Sequence, residues 1–304
     1  MRVLDFLAIA RFAALAVLVI GACSLAAACM AAVPPLHGID FGPYLNGSRP
    51  GVGDPVSGET IADLLSTIAP STVWVRTYGC DNGLELIPPA AKKKGLKTAV
   101  GAWLGTDSGV NERQVRCLVA LCRDGAVDVA IAGNEAIFGG SLDEAALAGW
   151  IARVRGQIAP TVPVTTAEPW NTWLEHPGLV DSVDLVYVNI HPYWYNVSVD
   201  RAVAWTAARY QEVQAISRGK PVIISETGWP SEGESRGDAM PSVQASERYL
   251  REFSAWADRD GISYFYFEAF DEAWKATPAA EAEAHWGIWY SNGTPKFPVT
   301  GRDR

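Results

Sequence analysis

A single (β/α)8 barrel, preceded by an N-terminal targeting or anchoring segment, is the fold class this sequence predicts. Three observations lead there. Eight short β-prone runs alternate with helix-patterned stretches between residues 38 and 268, the order that builds a parallel sheet covered by helices. About 270 residues remain once the leader is set aside, the usual size of such a barrel. The first run, Gly38-Ile39-Asp40-Phe41-Gly42, lacks the Gly-rich phosphate turn that opens most doubly wound nucleotide-binding sheets.

In order, the first strand runs into a Gly/Pro/Asn loop that lasts to about residue 58, and residues 60–69 carry helical spacing at Ile61, Leu64, Leu65 and Ile68. Residues 72–78 form the second strand, and residues 84–94 a helix interrupted at Pro88-Pro89 and stopped at Gly95. The third strand is 97–103, and its helix 111–123 opens on Asn111 as cap. The fourth, 127–135, ends in a glutamate, and Ser141 starts a capping box for the helix 141–158. Strands five to eight follow at 163–170, 183–191, 222–226 and 262–268, with helices around Trp173, over 199–217 and over 242–260. Composition does not shift along this stretch, so residues 33–304 read as one domain behind a leader of residues 1–32.

The leader is almost unbroken apolar sequence from 12 to 33, with Arg2 and Arg11 before it. Such a segment is a signal peptide or a membrane anchor, since about 20 apolar residues can also span a bilayer. Ala26-Ala27-Ala28 suits cleavage, and Cys23 or Cys29 could instead mark a lipoprotein junction. Export to the periplasm or the exterior is expected, with possible membrane attachment through this segment. Beyond it only Cys80, Cys117 and Cys122 remain, which allows one disulfide, Cys80 to Cys117 or Cys122. No Cys/His cluster has metal-ligand spacing, so neither a metal nor another cofactor is expected. A net charge of −9 argues against a nucleic-acid partner, because such proteins concentrate Lys and Arg.

Two strands end in a carboxylate: Ala132-Gly133-Asn134-Glu135 and Ile224-Ser225-Glu226-Thr227-Gly228-Trp229. Strands four and seven lie across an eight-stranded ring, and catalytic groups of such barrels sit at the C-terminal ends of strands. A pair of carboxyl groups in one cleft is what glycoside cleavage needs: one proton donor, and one nucleophile or base. Environment must keep one protonated and the other ionised. Asn134 could bond a sugar 2-hydroxyl, a contact that strengthens in the transition state. A lone glutamate after a strand is more often a cap or an ion-pair residue, and it is the repetition that favours catalysis. Glu268, which closes the eighth strand, reads as an acceptor for a substrate hydroxyl or as a structural ion pair.

Several segments together resemble glycoside hydrolase family 17. They are Arg76-Thr77-Tyr78-Gly79, Gly133-Asn134-Glu135, His191-Pro192-Tyr193-Trp194, Ser225-Glu226-Thr227-Gly228-Trp229-Pro230-Ser231 and Phe267-Glu268-Ala269-Phe270-Asp271-Glu272. The resemblance runs in order from Gly38 to Lys296. It implies a β-1,3-glucanase or glucanosyltransferase working by a retaining double displacement, with Glu226 as nucleophile and Glu135 as acid/base. It also implies a β-glucan oligo- or polysaccharide as partner. His191 stands where plant members carry tyrosine, Ala273 stands where many relatives carry proline, and the plant insertion around the sixth helix has no room here. The short form is similar to fungal and bacterial members, several of which transfer glucan, and transfer is slightly preferred.

Twelve tryptophans supply candidates for stacking on sugar faces. Trp194 and Trp229 follow strands directly and are expected as platforms, then Trp103 and Trp274, then Tyr44 and Tyr78. Arg76 and His191 are expected to brace the carboxylates or to touch sugar, with Tyr193 beside them. Trp150, Trp205 and Trp256, within helices, are assigned to packing. The competing reading is a non-catalytic β-glucan-binding barrel, which would have no need of two carboxylates in one cleft.

Overall fold

The computed structural model describes residues 35–53 and 55–299. The leader, with its expected cleavage, anchoring or lipidation, lies outside the described residues. Seven parallel strands pair in sequence order: β1 (Leu36–Asp40), β2 (Thr72–Arg76), β3 (Lys97–Ala102), β4 (Val129–Asn134), β5 (Val164–Pro169), β6 (Val186–Asn189) and β7 (Val222–Glu226). The eighth run enters the wall through isolated bridges, Tyr264 to Ile224 and Tyr266 to Ile39. Phe265 donates its N–H to the Ile224 carbonyl, and Tyr266 donates to that of Gly38. Alternate peptides of this segment thus face β7 and β1 and close the ring.

Helices α1 (Gly58–Ile68), α2 (Ile87–Lys93), α3 (Ser108–Arg123), α4 (Glu144–Arg155), α5 (Trp170–Glu175), α6 (Val199–Ile216) and α7 (Val243–Asp260) connect these strands. Helix α1 buries Ile61, Leu65 and Ile68, a stripe at the spacing that keeps side chains on one face. Helix α7 opens on Ser242, whose Oγ accepts from the Ala245 N–H at 3.0 Å, and ends at Gly261 with φ 67°, the left-handed stop that glycine allows most readily. Three expected helix starts differ. Pro88-Pro89 begin α2 instead of interrupting it, because proline needs no N–H partner in a first turn. Asp107, not Asn111, caps α3, and Asn111 bonds the Gly105 peptide instead. Asp143, not Ser141, caps α4. In both cases the carboxylate nearest the first free N–H groups takes the position.

Ile39, Val100, Ala130, Val164, Val188 and Ile224 point outward into the layer under the helices. Ala99, Val129, Ile131, Ala167, Tyr187 and Phe265 fill the lumen, so the barrel is solid below its mouth. Cys80 pairs with Cys117, fastening the loop after β2 to α3, while Cys122 remains a buried thiol. The ladder slips register between Ile131 and Asn134 and again between Val188 and Asn189. Both slips lie at the C-terminal ends of strands, where the side chains described next project.

Candidate active site

Arg76, the last residue of β2, is fully buried and reaches across the lumen. Its Nη1 donates to Asp40 Oδ1 at 2.9 Å, to the Ser225 carbonyl at 3.2 Å and to Glu226 Oε1 at 2.8 Å. Its Nη2 donates to Asn134 Oδ1 at 2.7 Å. The Tyr78 ring lies against the guanidinium, 4.6 Å from its centre. On the far side of Glu226, His191 Nε2 stands 3.3 Å from Oε2, its ring wedged edge-on between Phe267 and Trp286. Asn189 completes the link between the two glutamates. It receives the Ser225 hydroxyl at 2.6 Å and donates Nδ2 to Glu135 Oε1 at 2.9 Å.

These surroundings divide the pair. Burial alone would raise Glu226, but the Arg76 charge and the bond from His191 outweigh it and bring its pKa down to about 2. Burial first, and then the negative charge of Glu226, push Glu135 up to about 7 against the pull of Asn189. One guanidinium cannot neutralise two buried carboxyl groups. Glu226 takes the charge, and burial with the Glu226 charge drives Asp40 well above the usual carboxylate range. The outcome is an ionised group and a proton-holding group in one network, the division that acid/base chemistry near neutral pH requires.

Local backbone serves this placement. Glu135 has φ 51°, in the left-handed region that costs an L-residue roughly 1–2 kcal/mol. Its N–H donates to the Ala167 carbonyl at 2.8 Å. After Glu226, a Cβ on Gly228 would lie 2.0 Å from the Phe267 carbonyl oxygen, so only glycine lets the chain pass there.

The remaining expected residues separate into three groups. Glu268 is buried and paired with Lys275, which also binds Glu272 at 2.8 Å, so the ion-pair reading describes one of its oxygens. Its Oε1 is buried without a partner among the described residues. Trp103 and Trp274 stand exposed on the rim, and Tyr44 meets Trp274 edge-on while its hydroxyl donates to the Asn82 carbonyl. Trp194 is half-buried, with Arg236 4.6 Å from its ring centre. Two expectations fail. Trp229 is fully buried between Tyr193 and Tyr249, its Nε1 donating to the Met240 carbonyl. Tyr193 is fully buried too, and its hydroxyl bonds the Glu234 carbonyl. With both rings fully buried, neither is open to stack on a sugar face.

Asp40, Glu168, Asn189, Ser225 and Lys275 were not singled out from sequence. In the observed strands, the signal that picked Glu135 and Glu226, a carboxylate at a strand end, also fits Asp40, last in β1, and Glu168, next to last in β5.

Known proteins resemble this chain in both sequence and fold. The sequence profile of the BtgE/BtgC glycoside hydrolase domain matches residues 38–287. The protein named "Probable beta-glucosidase btgE" of Aspergillus fumigatus is 31% identical over 267 residues, covering 85% of this chain and 46% of that protein. The chain thus spans just under half the length of the first curated relatives it matches. A glucan 1,3-beta-glucosidase of Schizosaccharomyces pombe is 31% identical over 252 residues, 77% of this chain and 78% of that one. The crystal structure of a glycoside hydrolase family 17 beta-1,3-glucanosyltransferase from Rhizomucor miehei superposes with a TM-score of 0.78 at 28% identity, covering 87% of this chain and 97% of that one. An active-site mutant of the same enzyme, in complex with laminaritriose, superposes equally well.

Replacing Arg76 by Met leaves Asp40 and Glu226 buried without a counter-charge. The expected loss is about 3–5 kcal/mol of stability at pH 7, read by chemical denaturation. The deficit shrinks at pH 4, where freed carboxyl groups with raised pKa values take up protons in the folded state.

Proposed function

This chain belongs to the BtgE/BtgC glycoside hydrolase family, and on that premise we propose that it is a retaining glycosidase of β-1,3-glucan that favours glucanosyl transfer over hydrolysis. The observation that carries the proposal is the network in which Arg76 and Asn189 tie an ionised Glu226 to a protonated Glu135. In the first step a Glu226 oxygen attacks the anomeric carbon. The glycosidic C–O bond breaks, and Glu135 passes its proton to the departing oxygen. Asn134 gives its Oδ1 to Arg76, which leaves its Nδ2 for the 2-hydroxyl of the bound sugar. In the second step the Glu135 carboxylate takes a proton from an incoming hydroxyl. That oxygen attacks the anomeric carbon and releases Glu226, and two inversions give net retention.

Substrate and preference for transfer rest on likeness. The Schizosaccharomyces pombe relative is named a glucan 1,3-beta-glucosidase, and the Rhizomucor miehei structure is a glucanosyltransferase. Only a turn of 3-10 helix, Pro192–Tyr195, separates His191 from the approach to α6, a connection too short to carry an inserted subdomain. Exposed Trp103 and Trp274 on the rim suit stacking on glucosyl units. Export through the apolar leader is part of the same proposal. A disulfide between Cys80 and Cys117 fits an oxidising compartment.

The test is product sizing and linkage determination after incubation with short laminari-oligosaccharides. Products longer than the substrate are expected, and only shorter products at every substrate concentration would overturn transfer. The pH dependence follows from the two carboxyl groups. Glu135 must hold its proton, so kcat/KM falls tenfold per pH unit above about 7. Glu226 must be ionised, and its own acidic limb lies near pH 2, well below the working range. An initial-rate pH profile on laminaritriose checks both limbs.

A further inference from the structure

We infer that Glu168 is a positioning residue for the acid/base: its buried carboxylate grips the turn after Glu135 and holds that side chain against Asn189. The inference rests on the reading of Glu135 as proton donor. Glu168 is the next-to-last residue of β5 and is fully buried. Its Oε1 accepts the Ile137 N–H at 2.9 Å and its Oε2 the Phe138 N–H at 3.2 Å. Those two peptides lie two and three residues after Glu135.

Consecutive residues of β5 divide the work. Thr166 Oγ1 donates to the Gly133 carbonyl at 3.1 Å, and the Ala167 carbonyl receives the Glu135 N–H at 2.8 Å. Both fasten the chain up to Glu135. Glu168 fastens the chain beyond it, where residues 136–140 form an exposed-tipped turn. Two successive N–H groups need two acceptor oxygens at fixed spacing, and a carboxylate offers them without a competing donor. Gly133 at φ 93° and Glu135 at φ 51° lie in the left-handed region. Such a backbone persists only where its surroundings over-determine it, and the carboxylate of Glu168 supplies the outer half of that constraint. Released, the turn can relax, and Glu135 loses its alignment with the leaving oxygen while Glu226, on another strand, keeps its own partners.

Comparing two donors on the full chain separates this role from a general effect on folding. Laminaritriose has a leaving oxygen that needs a proton, whereas 2,4-dinitrophenyl laminaribioside has a leaving group that departs without one. In Glu168→Gln an amide NH2 meets the turn's N–H groups where an acceptor is required. The expected result is a kcat on laminaritriose reduced by about 10- to 100-fold at little-changed KM, with the dinitrophenolate burst within about threefold of the parent. Glu135→Ala is the reference, since it should lose laminaritriose turnover yet keep the burst. If that variant loses both, the acid/base reading itself fails, whatever Glu168 does. With the reference in place, equal losses on both donors in Glu168→Gln, or no loss on either, would overturn the positioning role. Should Glu168→Gln not fold, Glu168→Asp, which shortens the reach by one methylene, is measured in the same way. Failure of both to fold would assign Glu168 to the fold alone and would also overturn it.

Discussion

One buried guanidinium governs the mouth of this barrel. Arg76 stands on β2 and bonds groups on β1, β4 and β7, so a single side chain sets the mutual placement of four strands. Removing such an ion from water costs several kcal/mol, and only dense hydrogen bonding offsets it. That bonding also decides the chemistry. The charge of Arg76 falls between two carboxyl groups and serves Glu226, leaving Asp40 pushed toward its protonated form. Glu226 can therefore be ionised although buried, which a nucleophile at a strand end requires. Burial first, and then the negative charge of Glu226, raise the pKa of Glu135 to about 7. The ionised half of the pair thus depends on Arg76, a residue that the proposed bond-making steps do not use.

The two glutamates are held by different means. Glu226 ends a strand and is fixed by side chains from other strands, Arg76 across the lumen on β2 and His191 just past β6. Glu135 stands one residue beyond β4, on a turn with left-handed backbone, and is fixed partly by backbone contacts to β5 and partly by Asn189. A nucleophile must hold its line of attack, whereas an acid/base must give a proton and take one back from a different oxygen. Sites built on strands are more exact than sites on loops, and the division here follows that distinction. Ser225 and Asn189 join the halves, because the Ser225 hydroxyl fixes the amide that faces Glu135.

Much of the barrel and the carboxylate pair were legible in the sequence, because both follow from short-range pattern. Strand runs such as Val222-Ile223-Ile224 are continuous apolar stretches, which buried parallel strands require. The eighth run, at Ser263-Tyr264-Phe265-Tyr266, shares its bonds between two neighbours and so appears as bridges. What failed depends on three-dimensional direction. Trp229 and Trp103 both come soon after strand ends, yet one is buried and the other exposed, and sequence pattern alone does not tell which way each ring turns. The caps of α3 and α4 differ from expectation by four and two residues for a related reason: several capping side chains compete, and tertiary packing selects among them. Asp40 and Glu168 escape the sequence reading because each falls inside a predicted run, 38–42 and 163–170, and not at its end; the observed strands place Asp40 last in β1 and Glu168 next to last in β5. The choice of Cys117 over Cys122 as partner of Cys80 likewise depends on which face of α3 meets the loop after β2.

The central claim, that Glu226 is the ionised group which attacks the anomeric carbon, is tested most directly by trapping the covalent intermediate. A 2-deoxy-2-fluoro-laminaribiosyl fluoride carries its own leaving group, and its fluorine slows release of the glycosyl-enzyme. Mass spectrometry of the intact protein and its peptides should then show one disaccharide ester, located on Glu226. An ester on Glu135 or Glu268, or turnover with inverted anomeric configuration and no adduct, would contradict the account.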